Sequence, residues 1–421
     1  MSILPAIISV YDVAMSLLVP LRIHGLLLAL LLLAASAARA ADWPAGIPID
    51  EFPISYWCGP MPEFATLERY KEIKEAGFTF VMPMCAGASV EMNRKILGFC
   101  QEVGLKAFVA DGRMPVGVPD DAARKRIDAI VADYASHPAF LGYHLVDEPG
   151  AGAYPALAQT VAYLKEKDPK HPAFINLYPN YCPLNALGTK TYEEYLARYV
   201  KEVRTPFFSY DNYFSARPKP VERRAWVENL DVARKVSLES KTPFWQIVLV
   251  TQHFGYASPT IGDLRYEAFQ TLAYGGRGVL WFTYWSPAAA DAGPRWRHAM
   301  IDVTGKRDAH FDEVRTVNGE LRALGGELLR AESVSVTPLK QGMAEVTLGR
   351  FKGTDGMTLL LVANAARTGA AEVAAPVEGQ VVEQFDLSTR TWKAAGVEKV
   401  DAKPTVRLSL PAGGAALVRW R

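Results

Sequence analysis

The 421-residue chain is half hydrophobic and carries 46 basic against 45 acidic residues. That suffices for one barrel of about 250 residues plus a smaller domain. Nearly cancelling charges, with no long run of one sign, exclude a general polyanion binder, because nucleic-acid affinity is built on excess Lys and Arg.

At the N-terminus, Arg22 and His24 precede the apolar run Gly25 to Ala34, and Ala38-Arg39-Ala40 follows with the small-x-small pattern that a signal peptidase reads. The expectation is a cleaved export signal over residues 1–40 and a periplasmic or secreted protein, with no membrane contact after cleavage. An uncleaved anchor is the alternative; Arg22 interrupts the span of about 20 apolar residues it would need. Removing 1–40 takes away Arg22, Arg39 and Asp12 and leaves the remainder formally neutral. Cys58, Cys85, Cys100 and Cys182 follow; with no CxxC among them zinc is not indicated, and disulfides and buried thiols are both open.

From Pro53 to Trp285, eight short apolar runs alternate with amphipathic stretches. The runs are ISYWCGP (54–60), FTFVMPM (78–84), LKAFVAD (105–111), FLGYHLVDEP (140–149), AFINLYP (173–179), FFSYDNYF (207–214), FWQIVLVTQ (244–252) and GVLWFTYW (278–285). Continuous apolarity predicts strands buried on both faces, as in a parallel sheet. Between them Ile127, Ile130, Val131 and Tyr134 share a helical face opened by Asp120 as N-cap, and Thr191 with Glu194 forms a capping-box pattern. Val314, Val317, Leu321, Leu324 and Leu328 line a last helix. Eight βα units without a glycine-rich phosphate turn predict an α/β fold, a (β/α)8 barrel over 41–330. After Arg330 the texture becomes alternating: SVSVTPL, AEVTLGRF, MTLLLVANA, TVRLSL and AALVRW predict a small all-β sandwich over 331–421. Trp392 and Trp420 are its main aromatics, which suits a packing domain better than a sugar-binding module.

Barrel strands deliver their last residues to the catalytic rim. The strand ends give Trp57; Asp111 with Arg113; Asp147 and Glu148, preceded by His144; Asn176 and Tyr178; Tyr210, Asp211 and Tyr213; Gln252 and His253; and Trp281 and Trp285. Acids for proton transfer, amides for hydroxyls and aromatic faces for stacking on a pyranose are the inventory of a carbohydrate site. Glu148 is the candidate proton donor, with Asp147 and Asp211 raising its pKa by like-charge repulsion. The competing reading has Asp147 or Glu148 merely pairing with Arg113 or capping the next helix. His144 is equally a core residue or a hydroxyl ligand, and His253 is a candidate substrate contact. The seven histidines contain no close pair and no GxSxG is present, so neither a metal or cofactor nor a serine nucleophile is expected.

Glu148-Pro149 at the end of the fourth run resembles the Asn-Glu-Pro of retaining glycoside hydrolases in the large barrel clan that includes the cellulases and the family 42 β-galactosidases, with Asp147 in place of Asn. The resemblance implies a (β/α)8 barrel with a C-terminal sandwich, and Glu148 as acid/base. That clan's nucleophile is a Glu at the end of strand seven, and FWQIVLVTQHF has none. The Asp147-Glu148 pair also resembles the substrate-assisted N-acetylhexosaminidases of families 20 and 123. This second resemblance implies that Asp147 orients an acetamido group boxed by Tyr210 or Tyr213 and by Trp281 or Trp285. The alternative is an inverting enzyme with Glu148 as acid and Asp211 or Asp111 as base. The expected function is therefore hydrolysis of an oligo- or polysaccharide. A non-catalytic sugar-binding barrel is its rival, and a lyase using Tyr210 as base stands further off. Nothing in the sequence bears on oligomeric state.

Overall fold

The structure, a computed structural model, describes residues 51–421 apart from 86, 119, 215–219, 254, 287–295 and 380. The expected export signal over 1–40, and the start of the barrel domain at 41, lie outside the described residues.

Each of the eight apolar runs contributes one strand: β1 (Ile54–Tyr56), β2 (Phe80–Val81), β3 (Lys106–Ala110), β4 (Phe140–Asp147), β5 (Ala173–Leu177), β6 (Phe208–Asp211), β7 (Phe244–Leu249) and β8 (Val279–Phe282). All pair in parallel, each beside its neighbour in sequence, and β8 returns to β1. Helices cross between them: α1 (Leu67–Glu75), α2 (Val90–Val103), α3 (Asp121–Tyr134), α4 (Tyr154–Lys167), the short α5 (Leu184–Leu187) with α6 (Tyr192–Glu202), α7 (Pro220–Ser240) and α8 (Ile261–Ala273), and α9 (His310–Leu328) closes the series. This is the (β/α)8 barrel the apolar runs predict. The predicted caps form: Asp120 accepts from Ala123 N–H, and Thr191 accepts from Glu194 N–H at 3.0 Å. Glu194 bonds the N–H of Lys190 at 2.9 Å, one residue outside the cap, so the box is displaced.

At the seam between β1 and β2, Thr79 N–H donates to Ile54 O (2.9 Å), Ser55 Oγ to Phe80 O (2.8 Å) and Gly59 N–H to Pro83 O (3.0 Å). A Cys58–Cys85 disulfide spans the same seam at its rim end, while Cys100 and Cys182 are free. The bridge closes a segment of sequence separation 27, which in the chain-entropy view stabilises the fold by about 3.5 kcal/mol. A Cys58→Ser/Cys85→Ser variant should therefore unfold at markedly lower denaturant, with a somewhat larger m-value because its unfolded chain is less compact; an unchanged midpoint would show that the bridge adds nothing.

Inside, Phe80, Phe108, Phe174, Phe207 and Trp245 fill the lower barrel, with Phe207 stacked on Trp245 at 3.9 Å and Phe174 5.3 Å from Phe108. The interior is thus a packed plug, leaving room only near the strand C-termini. Gly142 is required there, since a Cβ would stand 2.2 Å from Pro172 O and 2.8 Å from the Phe108 ring.

Helix α9 ends at Leu328, and antiparallel strands begin at β9 (Glu332–Gln341). They continue through β10 (Ala344–Lys352), β11 (Thr358–Asn364), β12 (Ala371–Pro376), β13 (Val382–Asp386), β14 (Thr391–Ala394), β15 (Val397–Val400), β16 (Lys403–Leu410) and β17 (Ala415–Trp420). A six-stranded and a three-stranded sheet enclose Val346, Val362, Val373, Val406, Leu408 and Val418. The sequence reading missed β12 to β15. Of these, β14 and β15 bury no residue, and so present no hydrophobic alternation. Helix α8 lies between β7 and the sandwich strands β10 and β11 and is buried throughout except at Ile261 and Arg265. Trp392 donates to Glu327 of α9 at 3.0 Å, the packing role expected of it.

Candidate active site

Residues on a strand alternate between barrel interior and helix layer. In β4, Tyr143 faces outward, bonding Asp168 at 2.7 Å, and His144 faces inward, stacked on Phe174 at 5.6 Å and edge-on to Trp57 at 5.2 Å. Strict alternation would then turn Asp147 outward. It does not, because the β4–β5 register slips between His144 and Val146: His144 pairs with Phe174, Val146 with Ile175 and Asp147 with Asn176. The extra residue, Leu145, is a β-bulge that re-aims the strand end and brings Asp147 beside inward-facing Asn176. Glu148 follows with φ +48°, in the left-handed region where a non-glycine residue is strained. Its N–H is held by Asn176 O at 2.9 Å. Two consecutive acids thereby serve one site.

Asn176, 3% exposed, is the hub. Its amide nitrogen donates to Asp147 at 3.0 Å and to Asp211 at 2.9 Å, while its oxygen accepts from Ser209 at 3.4 Å. The side chains of Asp211 and Glu148 are in hydrogen-bonding contact with each other. Two carboxyl groups can share such a contact only if one keeps a proton. Burial raises the Asp211 pKa well above the ordinary carboxylate range, with Glu148 and Asp147 adding repulsion. Burial and then Asp147 raise Glu148, but the bond from Asp211 lowers it, so the repulsion expected from Asp211 is not among the causes; burial raises Asp147 against the opposing bond from Asn176. Asp211 is 6% exposed, Glu148 is half-buried and Asp147 is exposed at its rim edge, so a proton held between Asp211 and Glu148 reaches solvent through Glu148.

On the Asp147 side a cavity of about 250 Å³ is lined by Trp57, Met82, Met84, Ala110, His144 and the disulfide sulfur-bearing Cys85. Burial lowers the His144 pKa to about 4, so its imidazole is neutral there. On the Asp211 side stands an aromatic wall. Tyr213 lies 5.6 Å from His253 and 5.2 Å from Phe282, and His253 stacks on Trp296 at 4.6 Å. Burial first, then Asp211, pushes the Tyr213 phenol up, and Tyr178 is raised by burial and by Glu148. Gln252 joins the same loop through its backbone, paired with Arg297 at 3.1 Å.

Five expected site residues are elsewhere. Tyr210 points outward and donates to Gln246 at 3.2 Å under the helix layer, and Trp281 points outward to Asn318 of α9 at 2.7 Å. Both follow from alternation, since their neighbours Asp211 and Phe282 face inward. Trp285 is 2% exposed and packs on Phe64 and Arg69. Asp111 is held by Arg113 (2.7 and 2.9 Å) and Tyr134 (2.7 Å), and Arg113 also pairs with Asp133 at 2.6 Å. Burial opposes ionisation of Asp111, but those bonds outweigh it and hold the carboxyl below its usual value. It is thus a structural anion and not a base, and Arg113 is engaged away from Asp147 and Glu148. Tyr210→Phe should accordingly leave turnover unchanged and cost about 1 kcal/mol of stability; loss of turnover with stability intact would return Tyr210 to the site.

The reading of strand ends missed Phe282, which alternation identifies, and Trp296, Tyr256 and Tyr181, which sit on loops with no periodicity to betray them. Tyr181 is 52% exposed, its hydroxyl 3.5 Å from that of Tyr256.

No protein-family model and no curated protein sequence matches the chain. Among solved structures, a family 39 glycoside hydrolase from Bacteroides cellulosilyticus aligns over 88% of this chain and 81% of its own at 13% identity and TM-score 0.53. A family 5 glycoside hydrolase from Bacteroides vulgatus aligns over 87% and 89% at 11% identity and TM-score 0.56. A further glycoside hydrolase aligns over 87% and 92%, also at 11% identity and TM-score 0.56. The fold is that of barrel glycoside hydrolases. The likeness spans barrel and sandwich together, so the glycoside-hydrolase architecture accounts for both parts of the described chain.

Proposed function

We propose that this chain is an exported glycoside hydrolase that cleaves an O-glycosidic bond of an oligo- or polysaccharide, with Glu148 as the general acid. One observation carries the reading: at the open end of the barrel the Asn176 amide holds the carboxyl groups of Asp147 and Asp211, the Glu148 carboxyl stands against Asp211, and none of the three is paired with a cation among the described residues. Crowding and burial raise the pKa of these groups, the direction a carboxyl must move to protonate a leaving glycosidic oxygen. The apolar cavity and the aromatic wall on either side suit the faces of a sugar ring.

Carboxyl spacing bears on the mechanism. Inverting enzymes hold their acids roughly 6.5 to 9.5 Å apart and retaining ones about 5 to 5.5 Å. Glu148 and Asp211 are in direct side-chain contact, which leaves no place between them for an attacking water, and Asp111 is engaged by Arg113 and Tyr134. Both facts favour substrate assistance, in which Asp147 orients a 2-acetamido group whose oxygen attacks the anomeric carbon while Glu148 protonates the leaving oxygen. Export has separate support in the Cys58–Cys85 bridge, since disulfides persist in oxidising compartments.

Nitrophenyl glycosides with and without a 2-acetamido group test the reading. Hydrolysis confined to the acetamido sugars is expected. Equal hydrolysis of both classes would remove substrate assistance, and glycan binding with no release from a broad panel would replace the hydrolase by a sugar-binding barrel.

A further inference from the structure

A second set of catalytic residue types joins the loop after β7 to the first turn of α9. The Ser258 hydroxyl lies 2.8 Å from His310 Nε2, and His310 Nδ1 lies 2.7 Å from the Glu313 carboxylate. Protonation follows from elementary bonding rules. An ionised carboxylate only accepts, so the proton of a neutral His310 ring sits on Nδ1; Nε2 is then an acceptor, and the Ser258 O–H must donate to it. That is the order of a serine nucleophile, its base and the acid that orients the base. His310 is 4% exposed, whereas Ser258 is half-exposed and reachable from solvent. The sequence offers no GxSxG because Ser258 lies on a loop and His310 and Glu313 lie in the first turn of α9 more than fifty positions away, joined only by the fold.

We propose that Ser258, His310 and Glu313 form a second hydrolytic centre that cleaves carboxylic esters. Ser258 Oγ attacks the acyl carbon as its proton passes to His310 Nε2. The ester C–O bond breaks, and the leaving alkoxide takes that proton from the imidazolium. Water, deprotonated by the same nitrogen, then attacks the acyl-serine and releases the carboxylic acid, restoring the Ser258 hydroxyl. Overall, ester and water give acid and alcohol. The Ser258 N–H has no acceptor among the described residues and is available to the developing oxyanion, but Pro259 supplies no second N–H. Since one oxyanion donor is worth about 10²- to 10³-fold in rate, this centre turns over slowly, and covalent capture is its most direct readout. The loop bearing Ser258 also bears His253 and Tyr256 of the aromatic wall, so an O-acyl group on a sugar is the ester class favoured. That choice of ester rests on the glycosidase reading; the reactivity of Ser258 does not.

The full chain is treated with a fluorophosphonate, which forms a serine phosphonate ester with loss of fluoride, and the modified residue is located by mass spectrometry. Labelling at Ser258 is expected, absent in Ser258→Ala and at least tenfold slower in Glu313→Gln, whose position at the helix surface tolerates the amide. Hydrolysis of nitrophenyl acetate should fall in the same two variants, while glycoside turnover in Ser258→Ala stays as in the parent. Absence of label at Ser258 in folded protein, or labelling indifferent to Glu313→Gln, overturns the proposal and leaves the three residues as a pin between a loop and a helix. If nitrophenyl acetate is cleaved but acetylated sugars are not, the assignment of the ester class fails and the centre stands.

Discussion

Glu148→Gln is expected to lower kcat on the best glycoside substrate by about 10² to 10⁴-fold, the usual worth of a positioned general acid, while thermal stability stays within about 1 kcal/mol. Gln keeps the length and the left-handed backbone that Glu148 adopts at φ +48°, so packing is preserved and only the transferable proton is lost. The amide still meets Asp211, now as a neutral donor. A nitrophenyl leaving group departs readily without protonation, so the variant should lose far less on nitrophenyl glycosides than on a natural disaccharide. That contrast marks a lost acid as distinct from a damaged site. Equal loss on both substrates would mean that Glu148 positions rather than protonates, and undiminished turnover on the disaccharide would end its assignment.

The barrel was legible because its strands are buried on both faces and stand out as apolar runs against helical periodicity; each run contains one strand. The sandwich was legible only where one face is buried. Strands such as Thr391–Ala394, lying on the surface, have no pattern to read. Within the site, residue types at strand ends were readable but directions were not. Alternation would have removed Tyr210 and Trp281 and admitted Phe282. Even so, the same rule applied to β4 would have misdirected Asp147, because the bulge at Leu145 is set by pairing with β5 and not by local sequence. The Cys58–Cys85 pairing likewise depends on the barrel bringing β1 and β2 together at their seam.

Asp211→Asn should separate stability from activity in a pH-dependent way. The folded pKa of Asp211 is raised, by burial first and by its acidic neighbours next. Below the unfolded value of about 3.9 the group is protonated in both states, and the folded chain keeps the full benefit. As pH rises, the unfolded chain releases its proton first, so the stability contributed by Asp211 is lost progressively until the raised folded pKa is passed. Asn mimics the protonated acid at every pH: its oxygen accepts from Asn176 and its amide donates to Glu148. The variant should therefore match the parent near pH 4 and exceed it near pH 7 by something on the order of 1 kcal/mol, as is common when a strained functional group is neutralised. Catalysis should move the other way. The bond from Asp211 already lowers the Glu148 pKa in the parent, against burial and Asp147; an amide that donates at every pH cannot lose that bond to ionisation, so the Glu148 pKa falls. The descending limb of kcat/KM against pH should then shift toward acid. Unfolding midpoints at both pH values and the pH profile of the variant test the two halves separately. A stability difference that does not grow with pH would mean that Asp211 ionises normally, and a stationary limb would mean that Glu148 holds its proton without help from Asp211.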